Sequence, residues 1–224
     1  MAIEAWIASG PGVETLCSGS DPDRLRMLLA DTDPTRYRAV VSFGLAGGLD
    51  PALRAGDIVV AQDVNSGGRI SPADGLMAEA FLSRLEGGRR IAVPGRIVGS
   101  DAIVADPAAK AALYRTGVTA VDMESHVAAD WAAQHHLPFG VIRVICDPAE
   151  RALPKLVDGA LGNQGRIDLP AIVGSLARDP SQISSLLGTG RDFAAAVASL
   201  RRCRRLLGLS FGLADFGELL LDVP

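Results

Sequence analysis

Apolar runs alternate with helical patterns along most of the chain, which is typical of βαβ units and predicts an α/β fold. Strands are predicted over short, mostly apolar runs at 13–17, 38–43, 58–61, 91–93, 96–98, 118–121 and 139–145. Helices are predicted where apolar residues recur every three to four positions, at 21–30, 74–85, 106–116 and 124–136.

The pattern changes after Pro148. Residues 149–165 are rich in glycine and predict a loop, and the rest predicts helices at 171–177, 181–187 and 192–207, with no further clear strand. A chain of 224 residues is long enough for one domain. We therefore expect a single domain over 1–224, with a sheet-bearing body at 1–147 and a helical C-terminal extension at 166–224.

Composition and charge argue against several classes of function. A net charge of −4 argues against a nucleic-acid partner, and no uncharged stretch reaches the length of a membrane span. The three cysteines, Cys17, Cys146 and Cys203, lie far apart and form no CxxC pair, which favours a reducing compartment. The chain also lacks an HExxH motif and a signal-peptide pattern. We expect a cytoplasmic protein without a metal site.

Three features follow predicted strands, where α/β proteins bind their ligands. The small residues of the glycine turn 44–48 would let backbone N–H groups approach an anion, although glycines alone favour a plain tight turn. Glu124 could accept hydrogen bonds from two vicinal hydroxyls, or could simply favour the start of a helix. Asp147, after the most apolar strand, could have a raised pKa and act as a general acid.

Several segments resemble those of the nucleoside phosphorylase and nucleosidase superfamily, in the same order. They are 43–49 with 56–60, 99–102, 121–124 and 143–147, so the resemblance spans residues 38–147. It implies a three-layer α/β fold, in which a mixed central sheet is flanked by helices, and a homo-oligomer.

The resemblance also implies roles for individual residues. Glu124 would bind the ribose 2′- and 3′-hydroxyls, with Met123 packed against the sugar. Asp147 would hydrogen-bond N7 of the purine and protonate it, which makes adenine a leaving group. Backbone near Ile103 and Val104 would meet the adenine edge, although Ile103 replaces the aromatic residue that usually stacks on the base.

The attacking group stays open at this point. Glu4 resembles the glutamate that nucleosidases use to activate water. Alternatively, the glycine turn at Ala46 and Gly47, together with Arg143, could hold phosphate as a co-substrate. No other cofactor is implied.

Within the superfamily, residues 43–60, 122–126, 146–154 and 215–223 are most similar to the hopanoid-associated phosphorylase branch, which removes adenine from adenosylhopane. Only three residues precede Glu4, where the family has a full strand, so we expect that the first strand is missing. The segment 56–101 is shorter than in enzymes for small nucleosides, which would suit a bulky 5′ substituent.

Two other functions fit the same residues. One is hydrolysis of methylthioadenosine or adenosylhomocysteine, and the other is nucleoside binding without catalysis. The helix at 192–211 carries Arg201, Arg202, Arg204 and Arg205 among leucines, a pattern that suits peripheral contact with the inner membrane face. A solvated basic face whose leucines enter the core is the alternative.

Overall fold

The computed structural model describes residues 1–88, 90–151 and 182–215. The described strands are β1 (Val40–Gly48), β2 (Ile58–Ser66), β3 (Arg69–Pro72), β4 (Ala92–Gly99), β5 (Ala120–Asp122) and β6 (Phe139–Asp147). The described helices are α1 (Ala2–Ala8), α2 (Pro22–Ala30), α3 (Gly75–Leu85), α4 (Pro107–Tyr114), α5 (Ser125–Gln134) and α6 (Gln182–Leu207). Short 3₁₀ turns follow at Pro34–Arg36 and Leu209–Asp215.

The strands form one mixed sheet in the order β3-β2-β4-β5-β1-β6. Pairing is parallel between β1 and β6, β2 and β4, and β4 and β5, and antiparallel between β1 and β5 and between β2 and β3. A further antiparallel pairing of β2 with β6 closes the sheet on itself. Five strands therefore form a closed ring of pairings, and β3 extends β2 as a hairpin.

Helices cover both faces of this sheet. Successive residues of a strand point to opposite faces, and the apolar residues of β2 accordingly divide between two clusters. Ile58 and Val60 pack with residues of α1, α3 and α6, whereas Val59 and Ala61 pack with residues of α5. The predicted α/β class, with a mixed central sheet flanked by helices, is confirmed.

Several local predictions were wrong. Residues 13–17 form no strand, only an isolated bridge between Gly10 and Val13, whereas α1 and β3 were not predicted. The predicted strands at 91–93 and 96–98 are one strand, β4, because Gly95 serves close packing rather than a turn. A Cβ there would lie 2.8 Å from Thr119 Oγ1 and 2.8 Å from Val59 Cγ1.

The C-terminal part is helical where the structure describes it, but the predicted helices at 181–187 and 192–207 are a single helix, α6. Its second half buries Ala196, Leu200, Cys203 and Leu207 in the core, and this packing outweighs the low helix propensity of Gly188 and Gly190. The predicted helix at 171–177 and most of the predicted loop at 149–165 lie outside the described residues. Across the described ranges, no helix is both long and apolar enough to cross a bilayer.

Candidate functional site

Glu124 occupies the link between β5 and α5, as the sequence predicted. It is the N-cap residue of α5, yet its side chain makes no capping hydrogen bond. Oε1 instead accepts hydrogen bonds from the Ser18 hydroxyl at 2.5 Å and from the Ser20 backbone N–H at 3.3 Å. The carboxylate is therefore not used to start the helix.

The segment that holds Glu124 has an unusual backbone conformation. Gly19 and Ser20 both have positive φ angles, 76° and 68°. This conformation costs a serine energy, and such residues cluster at ligand sites. The turn brings the Ser18 hydroxyl and the Ser20 N–H to the same carboxylate oxygen.

Arg143 lies on β6 and is fully buried. Its Nε donates to the Asp122 carboxylate, and its Nη2 donates to the hydroxyls of Ser42 at 2.6 Å and Ser125 at 3.0 Å. Burial alone would lower the pKa of Arg143, but the carboxylates of Asp122, Glu124 and Glu4 raise it above its ordinary value. The guanidinium is thus a fixed cation at the centre of three carboxylates.

The same charges act on Glu124. Burial alone would raise the pKa of the Glu124 carboxyl. The Arg143 guanidinium and the hydrogen bonds from Ser18 and Ser20 outweigh this effect and lower that pKa below its ordinary value. Glu124 is consequently an ionised acceptor, the state in which a carboxylate binds hydroxyl groups.

Glu4 reaches this cluster from α1 and is also buried. Its Oε1 accepts a 2.7 Å hydrogen bond from the backbone N–H of Leu45. Gly44 makes the approach possible, because a Cβ there would lie 2.6 Å from Glu4 Oε1 and 2.7 Å from Arg143 Nη1.

The predicted glycine turn at 44–48 was wrong. These residues continue β1 and pair with β5 and β6. Their small size lets neighbouring side chains approach the strand: a Cβ on Gly47 would lie 3.2 Å from Val121 Cγ1 and 3.8 Å from Asp147 Oδ2. Ala46 is buried in the core on the α5 side.

Asp147 is the last residue of β6, as predicted, and is buried. Its Oδ2 accepts a hydrogen bond from the ammonium of Lys110, whose side chain has no exposed surface. Its Oδ1 is also buried and has no hydrogen-bond partner among the described residues. Burial raises the pKa of Asp147 above its ordinary value, although the Lys110 ammonium acts in the opposite direction.

A cavity of about 240 Å³ joins part of the predicted site. Glu4, Glu124 and Arg143 line it together with Ser42, so it has one strongly polar region. Most of the remaining lining is apolar and includes Leu16, Leu25, Leu29, Val41, Phe43, Trp131, Phe211 and Leu213. The cavity thus combines hydroxyl-binding groups with space for an apolar group.

The other predicted site residues do not line this cavity. Met123 is half-buried beside Glu124, Ile103 is 39% exposed, and Val104 packs against the cluster around Leu49. Asp147 is four residues after Arg143 on β6, about 13 Å further along the strand. The predicted base-protonating group therefore lies outside the cavity that Glu124 and Arg143 line.

Sequence reasoning missed several residues of the site. Ser18 and Ser20 were not among the predicted site residues, and Asp122 was noted only as part of a motif. Lys110 was overlooked, although it is the single charged residue in the sequence PAAKAALY of α4. A lone lysine among alanines and apolar residues was the available signal. Asp101, which lies in the segment expected to meet the purine, instead bonds to His126 at 3.1 Å and Arg26 at 3.2 Å.

Comparison with known proteins places these features in a family. Residues 27–164, more than half of the chain, match the family model described as the Phosphorylase superfamily. The 5′-methylthioadenosine/S-adenosylhomocysteine nucleosidase from Colwellia psychrerythraea 34H, solved with adenine, is 26% identical with a TM-score of 0.53. The match covers 58% of this chain and 63% of that one, so it spans less than two thirds of that nucleosidase.

Two less similar structures share the fold over a larger part of the chain. The nucleosidase of the same name from Neisseria meningitidis, in complex with methylthio-immucillin-A, is 21% identical over 84% of this chain and 77% of its own, with a TM-score of 0.55. Native futalosine hydrolase from Helicobacter pylori strain 26695 is 15% identical over 85% of this chain and 75% of its own, with a TM-score of 0.59.

Proposed function

Since the chain belongs to the Phosphorylase superfamily, we propose that it cleaves the N-ribosidic bond of an adenine nucleoside whose 5′ substituent is large and apolar, as in adenosylhopane. The observation that carries this proposal is the cavity in which Glu124, Glu4 and Arg143 adjoin a mostly apolar lining. A small nucleoside needs only the polar region, whereas a hydrocarbon skeleton would occupy the apolar one.

The ribose is bound at the polar region. Ionised Glu124 accepts hydrogen bonds from the 2′- and 3′-hydroxyls, and its charge stabilises the positive charge that develops on the sugar as the C1′–N9 bond breaks. Arg143 supports this role through its charge, which lowers the pKa of Glu124, and its guanidinium is held in place by Asp122, Ser42 and Ser125.

The base extends from there towards the end of β6. Asp147 donates a proton to N7 while the electron pair of the C1′–N9 bond moves onto the purine. A general acid of this kind is worth about 10²–10⁴-fold in rate. Its raised pKa supports the role, because a protonated carboxyl is the form that donates. Met123 against the sugar and backbone near Ile103 and Val104 against adenine complete the proposed subsites.

Water is the attacking group in this proposal. Glu4 lines the cavity beside Glu124, and a carboxylate there is placed to take the proton of a water that attacks C1′. The same residues offer fewer binding groups for phosphate. The Arg143 guanidinium is already bonded to three partners, and residues 44–48 are strand rather than an anion-binding turn.

A membrane-facing surface would allow the enzyme to take a lipid substrate. We define the α1–α6 surface as Trp6, Arg201, Arg205, Leu206 and Leu209. Trp6 is 68% and Leu209 67% exposed, and the Arg201 guanidinium lies 5.5 Å from the Trp6 ring centre. Arginines beside exposed apolar residues fit an anionic membrane surface. We include this contact and assembly into a homo-oligomer in the proposal.

Only part of the basic helix predicted for this contact faces outward in the structure. Leu200 and Leu207 are buried in the core, as the alternative reading of that helix had it. Arg204 donates from Nε to the Ala8 carbonyl at 2.9 Å, so it ties α6 to α1. Only Arg201 and Arg205 of the four arginines are exposed.

The test is adenine release from adenosylhopane in mixed micelles, with methylthioadenosine and adenosylhomocysteine as competing substrates, each with and without phosphate. The proposal expects preference for adenosylhopane and a phosphate-independent rate. A preference for methylthioadenosine would identify a small-nucleoside enzyme, which the 26% identity to the Colwellia nucleosidase favours. Binding of adenine nucleosides without release by an active-site-intact protein would contradict catalysis, and a phosphate-dependent rate would contradict hydrolysis.

A further inference from the structure

Lys110 is a buried cation next to Asp147, and the proposed reaction assigns it no role. Lys110 lies on α4 with no exposed surface, and burial of an unpaired ammonium is very costly. It bonds to Asp147 Oδ2, to the Pro148 carbonyl at 3.2 Å, to the Arg151 carbonyl at 3.3 Å and to the Asp147 carbonyl at 3.5 Å. All three N–H groups of the ammonium can therefore be satisfied inside the protein.

The choice of lysine at this position is informative. Of the 22 basic residues in the chain, only Lys110 and Lys155 are lysines. Arginine is a planar donor that stays charged, whereas lysine is a compact cation whose pKa responds to its surroundings. A chain that uses arginine almost everywhere else has a lysine at its fully buried basic position on α4.

The two oxygens of Asp147 have different surroundings. This is what a general acid requires when one oxygen is held in place and the other donates the proton. Oδ2 is held by Lys110, while Oδ1 is buried and has no partner among the described residues. An unpaired buried oxygen costs free energy, and such atoms are expected where a ligand completes the bonding. A donor or acceptor brought by the substrate would remove this cost.

We propose that Lys110 is a positioning residue for the reaction. It fixes Asp147 through Oδ2, leaves Oδ1 to face N7 of the purine, and stabilises the carboxylate that remains once the proton has moved from Oδ1 to N7. This inference rests on the proposed function, because it assigns Lys110 to the proton transfer from Asp147. The ammonium keeps its three protons throughout the step.

The inference predicts how the acidity of Asp147 depends on Lys110. Burial raises the pKa of Asp147, and the Lys110 ammonium limits that rise. Of the other charged groups that act on it, Arg151 also lowers this pKa and Asp192 raises it. Lys110→Met keeps most of the unbranched side chain but removes the ammonium and its charge, so Asp147 should hold its proton to higher pH and be a weaker acid. Lys110→Arg keeps a cation at this position, so the cation should still limit the rise in the pKa of Asp147.

The experiment measures adenine release against pH for the wild type, Lys110→Met and Lys110→Arg. We expect Lys110→Met to lower kcat by about 100-fold, the cost of a misplaced catalytic group, with a small change in KM. The basic limb of its kcat profile should move to higher pH, and Lys110→Arg should restore part of the rate. Equal loss at every pH, with the limb unmoved, would reduce Lys110 to a structural ion pair and overturn the inference.

A second measurement needs no turnover. In protein labelled with ¹³C at aspartate carboxyls, the Asp147 signal, identified by its loss in Asp147→Asn, should titrate at higher pH in Lys110→Met than in wild type. If Lys110→Met does not fold, Lys110→Gln, which also removes the charge, should move the Asp147 titration in the same direction. Unchanged titrations would overturn the inference alone, whereas absence of adenine release by the wild type would overturn the proposed function.

Discussion

The hydroxyl of Ser18 donates a 2.5 Å hydrogen bond to Oε1 of Glu124, although 106 residues separate the two in the chain. The bond joins a turn before α2 to the residue that begins α5. It both orients the carboxylate and helps to keep it ionised, since a hydrogen bond to the charged form lowers a carboxyl pKa. Glu124 is thus prepared to bind hydroxyl groups before any substrate arrives.

Replacing Glu124 with Gln should weaken ribose recognition, because an amide accepts hydrogen bonds at only one of its two ends. Loss of a hydrogen bond to a charged group costs about 1.5–3 kcal/mol, so kcat/KM should fall roughly 10–150-fold. A 2′-deoxy substrate should lose little more with this variant, since both changes delete the same interaction. Glu79→Gln on the exposed face of α3 is the matched control. Fully additive losses would show that Glu124 acts elsewhere.

The same residue gives a prediction about stability in acid. The folded-state pKa of Glu124 is below its ordinary value, so its ionised form stabilises the fold above the unfolded-state pKa of about 4.3. That contribution is lost as pH falls through the lower, folded-state pKa. Urea unfolding of the wild type and Glu124→Gln should therefore show the largest difference near pH 7 and a shrinking one below about pH 4. A constant difference across this range would contradict the linkage.

Sequence patterns predicted the strand-end positions of Glu124 and Asp147, and the carboxyl ends of strands in an α/β sheet are where ligands bind. They could not locate Ser18, whose contact with Glu124 depends on how a loop is packed. They misread 44–48 as a turn, because glycine marks both turns and sites of close approach. Only the pairing with β5 and β6 distinguishes the two. The apolar neighbours of Lys110 in α4 hint at its burial, but its contact with Asp147 depends on how α4 packs against the end of β6.

Asp147→Asn tests the general acid. Loss of the transferable proton should lower kcat by about 10²–10⁴-fold, equivalent to ~2.7–5.5 kcal/mol of transition-state stabilisation. Because Asp147 also pairs with buried Lys110, the variant should unfold more easily by about 3–5 kcal/mol. The double variant Lys110→Met/Asp147→Asn should regain much of the stability and none of the activity. Near-wild-type turnover by Asp147→Asn would remove Asp147 from the mechanism.

The apolar part of the cavity can be tested with Leu16→Glu. Leu16 lines the cavity and is 38% exposed, so the fold should tolerate the charge. A carboxylate there would lie against an apolar 5′ substituent and raise KM for adenosylhopane about tenfold or more, because burial of an unpaired charge is costly. Turnover of methylthioadenosine should change little. Ile70→Glu on β3, where the native residue is 51% exposed, is the control. Equal effects on both substrates would mean that the apolar part does not hold the substituent.

The α1–α6 surface predicts binding to anionic membranes. Arg201 and Arg205 are exposed beside Trp6, Leu206 and Leu209, and each arginine near an anionic bilayer contributes about 1 kcal/mol. The protein should sediment with phosphatidylglycerol-containing liposomes, and the bound fraction should fall as salt is raised. Arg201→Gln/Arg205→Gln together should weaken binding by about 30-fold, two arginines at this value. Trp6→Ala should weaken it further by removing an interfacial anchor.

The control for charge alone is Arg38→Gln/Arg115→Gln, which removes two other exposed arginines. Equal loss of binding by the two double variants would show a general charge effect, and equal retention would show that the α1–α6 surface is not used. Arg204 is unsuitable for either variant, because it bonds to the carbonyls of Ala8 and Gly208 and its removal would loosen the link between α1 and α6. Loss of liposome binding in folded Arg201→Gln/Arg205→Gln alone would show that the α1–α6 surface contacts the membrane. This surface adjoins the cavity, since α1 contributes Glu4, Ala5 and Ala8 to the cavity lining.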